Sequence, residues 1–431
     1  MLFDVKPRDE KKIFVSKIKF QIYNNKAIVE HSTDDCQERT IMKKSAFKIL
    51  LSLLLVVVTI FSLSLTLVAC NDNENPLNPS GGETPSVFQA LKGQSDRVIL
   101  FIGDGMGENH IKVTEAYFEK QLYFDDITTK AYMSTNCSAQ FQATDSAAAA
   151  SAMATGEKYY RGYISYKDGK SYQTISEYAK SLGKGVGIVT TDVLSGATPA
   201  GFSAHARSRS DKETIINCQI DSGIDLFLGA GKNNDDYDDT VYYADYQSQF
   251  EEKGYTYCTT YDQLSLDSEK VIGAFSKIAN YDATNETPTL RQLAEFAVDF
   301  LEAKYPNGYF LMVEGAHIDK CSSNKDIMGM VQYLDELDNA VEGVSAKITN
   351  NDNYTIIVTA DHECGDLQYN GETKDQINDN LYNSKYHTGV DVPFYVDWKL
   401  KASEFKMPNK IDNTDVFRIC YYLLSSEEIK Q

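Results

Sequence analysis

Chemistry-bearing side chains cluster beside short apolar runs at four places in the chain. Phe101-Ile102 leads into Gly103-Asp104-Gly105-Met106-Gly107, a carboxylate among three glycines. Tyr309 to Val313 leads into Glu314-Gly315-Ala316-His317-Ile318-Asp319-Lys320. Thr355 to Thr359 leads into Ala360-Asp361-His362-Glu363-Cys364-Gly365, and His387-Thr388-Gly389 comes just before the apolar run at Phe394. Carboxylates and imidazoles that converge are costly to bury unless they hold cations. Mixed Asp/His sets suit zinc, and all-oxygen sets suit magnesium.

A hydroxyl and two guanidinium groups add to these clusters. Thr144-Asp145-Ser146 opens an alanine-rich stretch that stops at Gly156. Alanine favours helix and glycine ends it. Ser146 then lies at a helix start, where backbone N–H groups and the dipole attract anions. Alone, a hydroxyl there is more often an N-cap than a nucleophile. Metal coordination changes that balance, because it makes a hydroxyl nucleophilic near neutral pH. The segment from Gly196 to Arg209 carries Thr198, Arg207 and Arg209. Arginine grips phosphate with two parallel hydrogen bonds, although in isolation both arginines read as solvated surface.

Something must bring these groups together, and the apolar pattern supplies it. Strands are expected at Val98–Ile102, Val186–Thr190, Leu226–Leu228, Val271–Phe275, Tyr309–Val313, Thr355–Thr359 and Phe394–Val396. Several are continuously apolar, as strands covered on both faces are. Helix-like stretches alternate with them at Asp145–Ala154, Tyr172–Ser181, Thr289–Lys304 and Lys325–Thr349. The alternation predicts an α/β three-layer sandwich, a largely parallel central sheet with helices on both faces. Residues 231–268, rich in Asp, Tyr and Asn, read as an irregular surface excursion. Ligands of such sheets bind at the carboxyl ends of strands, where the polar clusters lie.

Composition narrows the partners. The 431 residues carry 62 acidic and 42 basic side chains, a net charge of −20. Nucleic-acid binding is disfavoured, because phosphate backbones want clustered Lys and Arg. Residues 1–70 are nevertheless net +4, and the rest net −24. Lys43, Lys44 and Lys48 precede 21 uncharged residues, Ile49 to Ala69, that end at Leu67-Val68-Ala69-Cys70. This layout resembles a bacterial lipobox. It implies a start at Met42, a signal peptide over 42–69, and a lipidated Cys70 with a flexible tether over 70–94. Residues 1–41 then fall outside the true protein, and one domain fills 95–431. The expected location is extracytoplasmic and membrane-anchored; the alternative is an N-terminal transmembrane anchor. Beyond Cys36 and Cys70, six widely spread cysteines leave any disulfide pairing open.

Taken in order, GDGMG, TDSAAAASAMATG, ATPAGFSAHARSR, FLMVEGAHIDK, TADHECG and HTGVDVP resemble the alkaline phosphatase family over most of residues 95–400. The resemblance implies hydrolysis of phosphate monoesters through a phosphoserine on Ser146. It implies two zinc sites, Asp104, Asp361 and His362 for one, Asp319 and His387 for the other. Asp104, Thr198 and Glu314 would hold magnesium. Arg209 would clamp phosphate, steadied by Asp145, and Lys320 would reach it through water. Family members are often homodimers.

Two positions depart from the family pattern. A histidine is usual four residues after the aspartate matching Asp319, and Ser323 stands there. A neutral hydroxyl is a poor zinc ligand, so that zinc site is expected to be weakened and turnover slow. Gly196 replaces a residue that often touches the magnesium shell. Of the remaining residues, His110 is expected on a helix surface, His205 in a structural role, and Cys364 as a small packed thiol. The competing functions are a phosphodiesterase of the same superfamily, and a degenerate lipoprotein that binds phosphate or metal without efficient turnover.

Overall fold

The computed structural model describes residues 87–425, apart from 128, 140–142, 233–241, 349–352 and 399–404. The expected signal, lipidated Cys70 and most of the tether lie outside the described residues. Phe88 and Leu91 already pack into the core, ahead of the expected domain start at residue 95.

The described strands are β1 (Arg97–Gly103), β2 (Thr129–Ser134), β3 (Tyr166–Lys167), β4 (Lys170–Ser171), β5 (Gly185–Val193), β6 (Leu226–Ala230) and β7 (Tyr255–Cys258). They continue with β8 (Lys270–Phe275), β9 (Tyr309–Gly315), β10 (Tyr354–Ala360), β11 (Glu363–Cys364), β12 (His387–Thr388), β13 (Val392–Trp398) and β14 (Lys410–Asp412). Ten of them form one sheet in the order β14-β2-β13-β10-β1-β9-β5-β6-β8-β7. Only β13 runs antiparallel to its neighbours β10 and β2. The sheet is therefore largely parallel, as the apolar runs predict. Every residue of β9 and β10 is buried, which fits strands covered on both faces.

Two groups of helices flank the sheet. Leu290–Lys304 packs on Ile327–Ile348, which also meets Glu108–Phe118. Thr414–Leu424 and Ala197–Ser203 both pack on Ser146–Thr155. Helix starts follow local chemistry. The Thr289 hydroxyl accepts the Gln292 N–H, and the Gln292 side chain accepts the Thr289 N–H at 3.0 Å.

The expected surface excursion proves more regular. Past 241 it holds the helix Gln247–Glu252 and the edge strand β7, parallel to β8. Its aromatics decide this: Tyr243, Phe250 and Tyr255 are buried and form ring contacts with one another. Tyr residues that read as solvent-facing in a polar stretch are instead its anchors.

Small residues let two helices approach. A Cβ on Gly201 would lie 2.8 Å from Ala150 Cβ and 3.0 Å from the Ser151 nitrogen, on backbone that has no room to yield. Gly201→Val is expected to lower stability by about 1–3 kcal/mol through overpacking. The measurement is the urea midpoint at unchanged m value, and an unshifted midpoint would refute the close contact.

Candidate active site

Four adjacent strands, in the order β10-β1-β9-β5, deliver their ends to one place. Asp104 follows β1, Asp361 and His362 follow β10, and Glu314 lies at the end of β9. Asp319 sits on the short helix His317–Asn324 after β9. The glycine cluster makes the approach possible. Gly105 has φ +78°, and a Cβ there would lie 2.9 Å from the Asp319 backbone. Its N–H donates to Asp361 Oδ1 at 3.0 Å, tying the β1 loop to the β10 loop.

Two ligand sets result. His362 Nε2 lies 3.5 Å from Asp104 Oδ1, 3.3 Å from Asp361 Oδ2 and 3.4 Å from Ser146 Oγ. His387 Nε2 lies 3.4 Å from Asp319 Oδ1. Donors sharing one tetrahedral zinc at about 2.0–2.1 Å stand roughly 3.3–3.4 Å apart, so these spacings fit a common cation. The polar atoms agree. Asp104 Oδ1, Asp319 Oδ1 and Asp361 Oδ2 are buried with no hydrogen-bond partner, a costly arrangement unless a cation is there. The His362 and His387 rings stack at 3.6 Å, so the two sets adjoin. The His387 tautomer is fixed as well. Its Nδ1 meets the Thr144 carbonyl at 2.9 Å, and a carbonyl only accepts. Nδ1 therefore carries the proton and leaves the Nε2 lone pair for a ligand role.

Electrostatics point the same way. Burial, then the charges of Asp361, Asp319 and Glu314, push Asp104 well above the usual carboxylate range. Burial and then Asp192 push Glu314 up to about 8. Asp319 goes the other way: burial opposes its charge, but His387 and His362 outweigh burial and lower it. Burial lowers His362. Such a carboxylate cluster needs positive charge to stay ionised. Glu314 also acts on Asp104 and is reached by Thr198, which puts further oxygen donors beside the first set. Thr198 is buried beside Glu314, whose Oε2 accepts from the Thr190 hydroxyl.

Ser146 is not the helix cap. Asp145 takes that place, and its carboxylate accepts the Ala148 N–H at 3.0 Å. The same carboxylate accepts the Gly162 N–H and a 3.3 Å contact from Arg209 Nη1. Asp145 thereby locks the helix start and aims the arginine. Ser146 becomes the first helical residue, only 4% exposed, with its hydroxyl turned to His362. The Arg209 side chain stays 40% exposed, as a group meeting a solvent-borne anion must.

The remaining residues sort out as follows. Lys320 Nζ pairs with Asp192 Oδ1 at 2.5 Å, which lowers Asp192 although burial works against its charge. Asp192 was not read from the sequence. It explains Gly196, because a Cβ there would lie 2.7 Å from Asp192 Oδ2. The space a longer side chain would need is filled by a carboxylate four positions earlier. The only available signal was the glycine itself. Arg207 contacts the Tyr166 hydroxyl instead of the site. His205 is structural in its contacts, bridging the Ser165 carbonyl and Glu177. His317 Nδ1 meets Thr191, and its ring stacks on Tyr333. His110 corrects the sequence expectation: it is fully buried. Its Nδ1 accepts the Gly107 N–H at 3.2 Å, so Nε2 donates to Ser322 Oγ at 3.1 Å. It braces the β1 loop against the Asp319 helix. All six described cysteines are free thiols. Ser323 Oγ lies 3.3 Å from Cys364 Sγ.

An α/β sandwich whose central strand ends carry adjoining Asp/His sets beside a helix-start serine and an arginine is the architecture of the alkaline phosphatase-like superfamily. The chain belongs to the alkaline phosphatase family, whose model matches residues 95–396. It is similar to alkaline phosphatase 4 of Bacillus subtilis, 31% identical over 303 residues, 66% of this chain and 64% of that one. Alkaline phosphatase 3 of the same organism is 32% identical, covering 66% of each chain. The match thus spans just under two thirds of these relatives' length. Among solved structures, a cold-active alkaline phosphatase from the psychrophile Shewanella sp. is 27% identical with a TM-score of 0.65. It covers 76% of this chain and 99% of its own.

Proposed function

We propose that the chain hydrolyses phosphate monoesters through a phosphoserine on Ser146. The observation that carries this reading is the Ser146 hydroxyl, 3.4 Å from His362 Nε2 at a helix start and released from capping by Asp145. Asp104, Asp361 and His362 would hold one zinc, Asp319 and His387 another, and Asp104, Thr198 and Glu314 magnesium. When bound, these cations lower the pKa of a neighbouring hydroxyl and neutralise phosphoryl charge.

The chain's own residues do the rest. Arg209 grips two non-bridging oxygens and turns phosphorus toward Ser146. Asp145 fixes the guanidinium, so little orientation freedom is lost on binding. The Ser146 hydroxyl gives up its proton as its oxygen bonds to phosphorus, the bond from phosphorus to the ester oxygen breaks, and the leaving alcohol oxygen takes up a proton. Water then attacks the phosphoserine, returning the serine hydroxyl and releasing inorganic phosphate. Loose phosphoryl transition states ask for positioning and charge neutralisation, which this arrangement offers. Cations and Arg209 would also give an acidic protein a positive pocket. Extracytoplasmic location through a lipidated Cys70 belongs to the same reading, supported by the sequence from Lys43 to Cys70.

The test compares p-nitrophenyl phosphate with its bis-ester, with added zinc and magnesium and after chelation. A two-oxygen arginine grip suits a dianion, so the monoester is expected to win by kcat/KM about a hundredfold or more. A preference for the bis-ester would favour the phosphodiesterase reading. No turnover of either would favour a binding protein.

A further inference from the structure

A turn that follows the Ser146 helix is wired to the arginine that faces the site. Tyr160 and Tyr163 close it, the Tyr163 N–H donating to the Tyr160 carbonyl at 3.3 Å. Arg161 and Gly162 are its corner residues, and Gly162, with φ +84°, supplies the left-handed backbone that favours glycine. Asp145 Oδ2 lies 3.0 Å from the Gly162 nitrogen and 3.3 Å from Arg209 Nη1. The Gly162 carbonyl in turn accepts the Arg209 N–H at 2.7 Å. Just beyond, Ile164 and Ala206 exchange backbone hydrogen bonds at 3.0 and 2.9 Å, which holds the turn alongside the segment that bears Arg209. Arg161 is bonded directly to the Gly162 nitrogen. The carboxylate that aims Arg209 therefore also fixes where Arg161 stands.

The surface over this corner is open. A Cβ on Gly162 would meet nothing within 4 Å. Arg161 is exposed, and Tyr160 beside it is 58% exposed. The other cations of the neighbourhood are engaged: Lys158 pairs with Asp412, Lys167 with Glu157, and Arg207 meets the Tyr166 hydroxyl. Among the described residues Arg161 makes no ion pair and no side-chain hydrogen bond. An exposed, uncommitted guanidinium is notable in a chain of net charge −20. It stands one residue from the backbone that touches the Asp145–Arg209 pair.

We infer that Arg161 forms a leaving-group subsite for a second anionic group. The chain then favours phosphate monoesters whose alcohol half carries a further carboxylate or phosphate. This rests on the monoesterase reading above and deepens it. Arg209 holds the phosphoryl group being transferred, and the other half of the ester extends across the open corner to Arg161. The guanidinium fork matches carboxylate and phosphate alike. At an exposed position the contact is screened by salt and changes rates by a modest factor.

The experiment uses the metal-loaded full chain and two esters of the same shape, 4-carboxyphenyl phosphate and 4-carbamoylphenyl phosphate. The readout is the ratio of their kcat/KM values, charged over neutral. Arg161→Gln should cut this ratio about three- to fivefold, chiefly through KM. Arg161→Glu should cut it further, and Arg161→Lys should keep most of it. Raising salt to about 0.5 M should lower the wild-type ratio and leave that of Arg161→Gln nearly flat. An unchanged ratio in Arg161→Gln overturns the inference and leaves the monoesterase reading standing. So does a wild-type ratio that salt does not lower, or a lysine variant no better than the glutamine one. Failure of the wild type to turn over either ester removes that reading, and the inference with it.

Discussion

Ser146→Ala is expected to lower kcat on p-nitrophenyl phosphate by about a thousandfold or more, with metal content unchanged. The size follows from the geometry. Ser146 Oγ lies 3.4 Å from His362 Nε2 at the helix start, and alanine removes that oxygen alone. The cap survives, because the Asp145 carboxylate still accepts the Ala148 N–H. Helix stability should therefore hold, and melting should shift little. Acid-quenched wild type should carry phosphate on Ser146, and the variant should carry none. A variant within tenfold of wild type, or one labelled elsewhere, would remove Ser146 from the nucleophile role.

The second large effect concerns pH in the metal-stripped chain. Glu314 is raised from its ordinary 4.5 to about 8, first by burial and then by Asp192. Asp104 is raised as well, by burial and the neighbouring carboxylates. A raised carboxyl binds more protons folded than unfolded, so stability falls as pH climbs. The contribution is complete below about 4.5 and gone once pH passes about 8. Its size is of order a few kcal/mol. Stripped protein should thus melt several degrees lower at pH 8 than at pH 5. Metal-loaded protein should show the opposite slope, because proton release accompanies cation binding. Calorimetry with and without chelator checks both signs, and a stripped chain that melts higher at pH 8 would refute the argument.

The parts of this molecule that were legible in the sequence share a physical reason. Strands β1, β9 and β10 are buried on both faces, so their residues form unbroken apolar runs, and the ligand clusters stand out at their ends. The strands farther from the centre were less visible. β2 alternates buried and exposed positions over six residues, too short and polar to announce itself. The burial of His110 was not legible because a group its ring meets, Ser322, lies more than two hundred positions away. The Ser146 ambiguity was a matter of one residue: the cap fell on Asp145, a distinction that backbone angles decide and composition does not. Asp192 escaped notice because its importance depends on a missing side chain at Gly196.

The bond between Gly105 and Asp361 joins residues 256 positions apart. That separation has a consequence for the order of assembly. Neither metal set exists in any single stretch of chain; β1 and β10 must already lie side by side. Pairings between distant segments form late, after their loop-closure cost has been met. Metal uptake should therefore report the register of the central strands, since a slipped strand would scatter the donors. A cation that binds only the correctly assembled chain stabilises it by mass action. The ions proposed here for chemistry would then also act as the last check on folding.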